Sequence, residues 1–141
     1  MGLLDNPVLV ITIPTWLLAE TIKFVVRRQS DPKAKFGHPG GMPSGHATLT
    51  GSAATVIGLE SGIESPLFGL AVVLVAIVIH DAVRLRWSVG EQAARINELA
   101  AVGKSTLPPL MVWRGHRIRE VAVGIVFGGL VSAALYQWWF A

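Results

Sequence analysis

The sequence contains no cysteine, so neither a disulfide framework nor a thiolate metal site is open to it. Charge is scarce as well: 15% of the 141 residues are charged against 52% hydrophobic, and the mean hydropathy is +0.54. That is too apolar for a water-soluble domain of this length and leaves room for one compact unit, residues 1–141. Internal repeats and low-complexity tracts are absent too, which removes solenoids and flexible linkers from consideration. The net charge of +3 does not point to nucleic acid, because the basic residues stand beside apolar runs, where anionic membrane lipid is the natural partner.

What is present is four apolar stretches: Pro7 to Val26, interrupted by Glu20 and Lys23, then Ser44 to Leu59, Pro66 to His80 and Val121 to Phe140. A helix needs about 20 residues to cross a ~30 Å hydrocarbon core, so the outer two are long enough and the middle two are short. Local bilayer thinning, or burial of their polar ends against partner helices, accommodates such segments. The expected fold is an all-α integral membrane bundle of four transmembrane helices. A short amphipathic helix, Gly90 to Ala101, is expected in the second cytoplasmic loop, with Leu107 to Trp113 in the interface. The first segment is too long, and has too little base ahead of it, for a cleaved signal peptide.

All twelve Lys and Arg residues fall at the inner end of the first stretch, between the first and second, or between the third and fourth. The positive-inside rule then puts both long loops in the cytoplasm and both termini outside. Trp138, Trp139 and Phe140 form an interfacial anchor at the outer end. Gly124, Gly128 and Gly129, and separately Gly51, Ala54 and Gly58, make small-residue faces that serve helix packing and allow a homodimer.

Chemistry concentrates at the cytoplasmic ends. In Gly40-Gly41-Met42-Pro43-Ser44-Gly45-His46, the glycines permit close backbone approach, Ser44 is a helix cap, and the first-turn amides of the second helix form a cradle for an anion. As an alternative the motif is an ordinary capped turn. His116 and Glu120, four apart at the start of the last helix, share a face, so the carboxylate can hold the imidazole in one tautomer and leave it nucleophilic. Asp81, Arg84 and Arg86 end the third stretch, followed by Glu91 and Asn97. Asp81 and Arg84 are spaced to pair with each other, and an arginine fork at this level suits a tetrahedral oxyanion. Lys23, with Arg27 one turn on, adds charge from the first helix, either as a phosphate contact or as a snorkelling lysine.

Gly103-Lys104-Ser105-Thr106 resembles the tail of a phosphate-binding loop, but Glu98 stands where the earlier glycine belongs. Asp81, Glu91, Asn97 and Glu120 are chemically able to bind a hard cation, yet no spacing identifies a metal site, and neither metal nor cofactor is expected.

With these motifs the sequence resembles the divergent branch of the type-2 phosphatidic acid phosphatase family, related to vanadium haloperoxidases. The resemblance runs from Glu20-Thr21-Ile22-Lys23 through the Pro-Ser-Gly-His motif at 43–46, Asp81-Ala82-Val83-Arg84 and Gly90-Glu91-Gln92-Ala93, to Gly115-His116 and Glu120-Val121. It implies His46 as general acid, His116 as the nucleophile on phosphorus and Glu120 as its orienting carboxylate. The residues read above then place Lys23, Ser44, Gly45, Arg84 and Arg114 around the phosphate, supported by Asp81, Glu91 and Asn97. Leu110 stands where the main family has an arginine, which leaves Arg84 or Arg114 to supply that contact. The main family's spacing after the first-motif lysine is not reproduced after Lys23. The implied activity is metal-independent hydrolysis of a lipid phosphate or diphosphate at the cytoplasmic interface. The alternative is a non-catalytic membrane protein that binds anionic head groups or a partner through its basic face.

Overall fold

Asn6 starts the first helix, α1 (Pro7–Ser30): its Oδ1 accepts the amides of Val8 and Leu9 at 3.0 and 3.3 Å, and Pro7 takes the first position, where a missing N–H costs nothing. The computed structural model describes residues 2, 5–33, 36, 40–113 and 115–140, and all regular structure among them is helical. The second helix, α2 (Gly45–Ser61), stops at Gly62, whose φ of +83° turns the chain. Ser65 and Pro66 open α3 (Pro66–His80), the Ser65 hydroxyl accepting the Phe68 amide at 3.2 Å.

No residue between His80 and Gly90 breaks a helix, and none ends there. A single π turn at Asp81–Leu85 carries α3 directly into α4 (Arg86–Val102). The expected separate amphipathic helix is therefore the outer half of one 37-residue rod, about 55 Å long at 1.5 Å per residue. Its α3 half packs along α2, and α4 meets the bundle mainly through its first turns. The last helix is α5 (Ile118–Phe140).

The core is built around α2, which touches α1, α3 and α5, while α1 also packs on α5. Small residues make this possible. A Cβ at Gly124 would stand 2.7 Å from the Ser44 carbonyl oxygen, one at Gly128 2.6 Å from that of Thr48, and one at Gly51 3.3 Å from Ile125 Cα. Gly51, Gly124 and Gly128, three of the glycines expected to allow a homodimer, are thus covered within the chain, between α2 and α5. Thr12, Thr15, Ser44, Thr48, Ser52 and Ser132 are buried among them, so the seam is lined with small hydroxyls as well as apolar methyls.

Three helices among the described residues are long and apolar enough to cross a membrane: Pro7–Ser30, Pro66–Val102 and Ile118–Phe140. The expectation of four is not met on length. At 17 residues α2 covers about 26 Å, short of a ~30 Å core, and it lies enclosed by the other three. The exposed leucines and valines of α3, among them Leu67, Leu70, Val73 and Leu74, form the kind of surface that lipid covers.

Candidate functional site

One end of the bundle gathers the ends of all four packed elements around a cavity of about 660 Å³. Trp16, Glu20 and Lys23 reach it from one face of α1, being four and three residues apart. The start of α2 supplies Gly45 and His46, the π turn and the beginning of α4 supply Asp81 and Arg86, and the segment before α5 supplies Trp113, Gly115 and His116. The rings of His46 and His116 lie 6.3 Å apart, centroid to centroid.

His116 is held from three sides. Its amide donates to the Ala82 carbonyl in the π turn at 3.0 Å. Its Nδ1 stands 2.9 Å from Glu120 Oε2, and that oxygen also accepts the Arg117 amide at 3.3 Å. The Glu120 carbonyl in turn accepts the Ser44 amide at 3.1 Å, tying the His116 segment to the start of α2. A carboxylate only accepts, so Nδ1 carries a proton, and in the neutral ring the lone pair is on Nε2. The pair does not lie along a helix face as its spacing suggests: α5 begins at Ile118, so the bond bridges the helix start. Gly115 allows the approach, because a Cβ there would stand 2.5 Å from the Ala82 oxygen and 3.0 Å from Arg86 Cβ.

His46 is bound by an arginine. Arg86 Nη2 stands 3.2 Å from His46 Nε2, and Arg86 Nε stands 3.6 Å from Asp81 Oδ2. A guanidinium only donates, so Nε2 accepts, and the ring is neutral with its proton on Nδ1. The partner of Asp81 is therefore Arg86, not Arg84. In the π turn the Arg86 amide bonds to the Asp81 carbonyl, five residues back, which aligns these two side chains in place of the i, i+3 pair. Arg84 is exposed and lines a second depression that shares His116 with the first, together with Trp87, Arg117, Arg119 and Glu120.

Lys23 is buried and paired with Glu20 across one turn at 2.5 Å. Gly45 faces that same carboxylate: a Cβ on it would overlap Glu20 Oε1. Arg27 is displaced from the cavity, lying beneath Gly40 and Gly41, whose φ values of +79° and +91° wrap the backbone over its guanidinium. Two parts of the expected cradle change as well. The Ser44 amide is spent on Glu120, and the Ser44 side chain, fully buried, makes no cap bond.

Among the supporting residues, Asn97 lies away from the cavity. Its side chain exchanges two 2.8 Å hydrogen bonds with the Leu110 main chain, pinning the return segment to α4. Glu91, on α4, does not line the cavity either. The expectation for Arg114 falls outside the described residues. Among the described residues no three His, Asp or Glu side chains cluster as a metal would need.

Glu20 and the two tryptophans were not expected in the site, and Arg86 was expected only as part of a fork with Arg84, which was favoured over it as the phosphate contact. Glu20 carried a usable signal, since an ionisable residue inside an apolar run, three from a lysine, is expected to be paired or functional. The choice of Arg86 over Arg84 carried none, because it depends on the π turn.

Membrane-length helices that converge on two histidines, one oriented by a carboxylate and the other bound by an arginine, define a polytopic helical protein with a charge-paired, imidazole-bearing pocket at one end of its bundle. The chain belongs to the divergent PAP2 family, whose model matches residues 4–131. It is 35% identical, over 154 aligned positions covering 96% of this chain and 97% of the relative, to the uncharacterized membrane protein YuiD of Bacillus subtilis (strain 168). No solved structure matches the chain.

Proposed function

We propose that the chain is a membrane-embedded phosphatase that hydrolyses a lipid phosphate or lipid diphosphate through a phosphohistidine on His116. The observation that carries this reading is the 6.3 Å pairing of His46 and His116 in one cavity, with His116 Nδ1 held by Glu120 so that Nε2 is left nucleophilic. Membership of the divergent PAP2 family supports the same reaction class.

In the proposed cycle His116 Nε2 attacks phosphorus in line, forming the N–P bond as the P–O bond to the leaving group breaks. Arriving phosphate draws the Arg86 guanidinium off His46 Nε2, which then takes a proton. His46 delivers that proton to the leaving oxygen, and afterwards takes one back from the water that cleaves the N–P bond. Lys23, Arg86 and the Gly45 amide stabilise the equatorial oxygens, Arg86 and not Arg84 being the fork on the cavity side. The topology that goes with this reading has α2 completing a four-helix crossing, both termini outside, and the cavity at the cytoplasmic interface, where head groups enter laterally from lipid.

The test is phosphate release by detergent-purified protein from a panel of lipid mono- and diphosphates with EDTA present. Release by the parent chain and its loss in His116→Ala are expected. Full activity in His116→Ala would overturn the mechanism, and no release from any lipid by folded parent protein would overturn the enzymatic reading.

A second reading, anionic-lipid binding without catalysis, draws on the depression where Arg84, Arg117 and Arg119 stand together. It predicts binding that falls steadily with salt and is indifferent to both histidines.

A further inference from the structure

The reaction proposed above makes no use of Glu20, yet its carboxylate is among the least exposed ionisable groups of the cavity. The side chains of Glu20 and Lys23 are each 7% exposed and bonded to each other. The same oxygen that holds Lys23 is packed against Gly45, the first residue of α2, with Trp16 Nε1 closing on that point from α1. This is where a helix start favours negative charge. The slot that would receive a phosphate oxygen is already filled by an anion of the protein's own.

Charge matching extends through the cavity. Lys23 and Arg86 are the cations lining it among the described residues, and each has an acidic partner, Glu20 and Asp81. An incoming ligand therefore finds no uncommitted cation. To reach Lys23 it has to displace the Glu20 carboxylate, which carries one negative charge. A phosphodiester, also with one charge, gains little by that exchange. A phosphomonoester near two charges, or a diphosphate, gains a second charge's attraction to Lys23.

We infer that Glu20 is a specificity residue: an internal anion that keeps Lys23 from the singly charged phosphodiester head groups of bulk lipid and yields it to a dianionic phosphomonoester or diphosphate. The inference rests on the phosphate-site reading of the cavity. Burial strengthens the filter, because at 7% exposure the Glu20–Lys23 attraction is little screened by solvent.

The experiment is binding of phosphatidic acid and of phosphatidylglycerol, each in mixed detergent micelles at pH 8, to the full chain, Glu20→Gln and Lys23→Gln. The full chain should prefer phosphatidic acid. In Glu20→Gln, affinity for phosphatidylglycerol should rise about tenfold or more and the preference should shrink by a similar factor. An unchanged ratio, or equal loss of affinity for both lipids, would overturn the inference and leave Glu20 a structural partner of Lys23. Should Glu20→Gln fail to fold, Glu20→Asp, whose shorter side chain draws the carboxylate away from Lys23, should lower the ratio part way, and an unchanged ratio there overturns the inference equally. Lys23→Gln separates the two levels. If it leaves both affinities untouched, lipid phosphate does not bind in this cavity, and the site reading falls together with the filter.

Discussion

Arg86 Nη2 lies 3.2 Å from His46 Nε2, so a side chain at the start of α4 occupies the ring nitrogen of a histidine at the start of α2. Replacing Arg86 by alanine removes both the restraint on His46 and the fork proposed to hold phosphate. On a monoester lipid KM should rise roughly tenfold or more, the size expected for losing a charged hydrogen bond. Arg86→Lys should recover only part, since an ammonium is a single point charge and cannot bridge Asp81 and phosphate as a guanidinium can. Steady-state kinetics on the two variants check both points.

Glu120 fixes the His116 tautomer through one bond of 2.9 Å. Glu120→Gln can present an amide N–H to Nδ1 and turn the ring's lone pair the wrong way. Its kcat should fall by about 10²-fold or more with KM little changed, as for loss of a positioned acid–base group. A loss seen only in KM would assign Glu120 to binding instead.

The contact between α2 and α5 leaves no space for a methyl group. Gly124→Ala and Gly128→Ala, meeting the Ser44 and Thr48 backbone, should each destabilise by about 1–3 kcal/mol. Gly129, whose added Cβ would reach only Thr55 Oγ1 at 3.4 Å, is the control and should tolerate alanine. Thermal unfolding in detergent measures all three.

The absence of cysteine gives a clean background for mapping topology. Ile63→Cys, in the exposed turn between α2 and α3, should be labelled by a membrane-impermeant maleimide on intact cells, and Lys104→Cys, beyond α4, only after permeabilisation. The reverse pattern would invert the proposed orientation.

Much of this architecture is legible in the residues themselves. Asn6-Pro7 and Ser65-Pro66 mark helix starts, Gly62 marks a stop, and the helical class follows from long apolar runs with little charge. The convergence of Lys23, His46, Asp81 and His116 on one end follows from their places at the ends of successive helices. The trajectory of residues 81–102 was not legible, because an apolar run followed by a polar amphipathic one reads as span and loop, whereas the backbone simply continues through an i→i+5 turn. That one turn moves Arg86 into the cavity and leaves Arg84 outside it. The small-residue faces show that helices approach closely but not which ones, so a contact inside the chain could equally be read as one between chains. The engagement of the Ser44 amide by Glu120 is a tertiary bond between residues 76 apart, and no local pattern announces it.

The seating of Gly124 on Ser44 has a mechanical side. Ser44 lies two residues from one imidazole and Gly124 eight from the other, so the crossing of α2 and α5 acts as a spacer gauge for the two rings. A bilayer whose thickness tilts α5 against α2 resets that gauge. On the proposed reaction, turnover would then rise and fall with the lipids that surround the protein as well as with the one it cleaves.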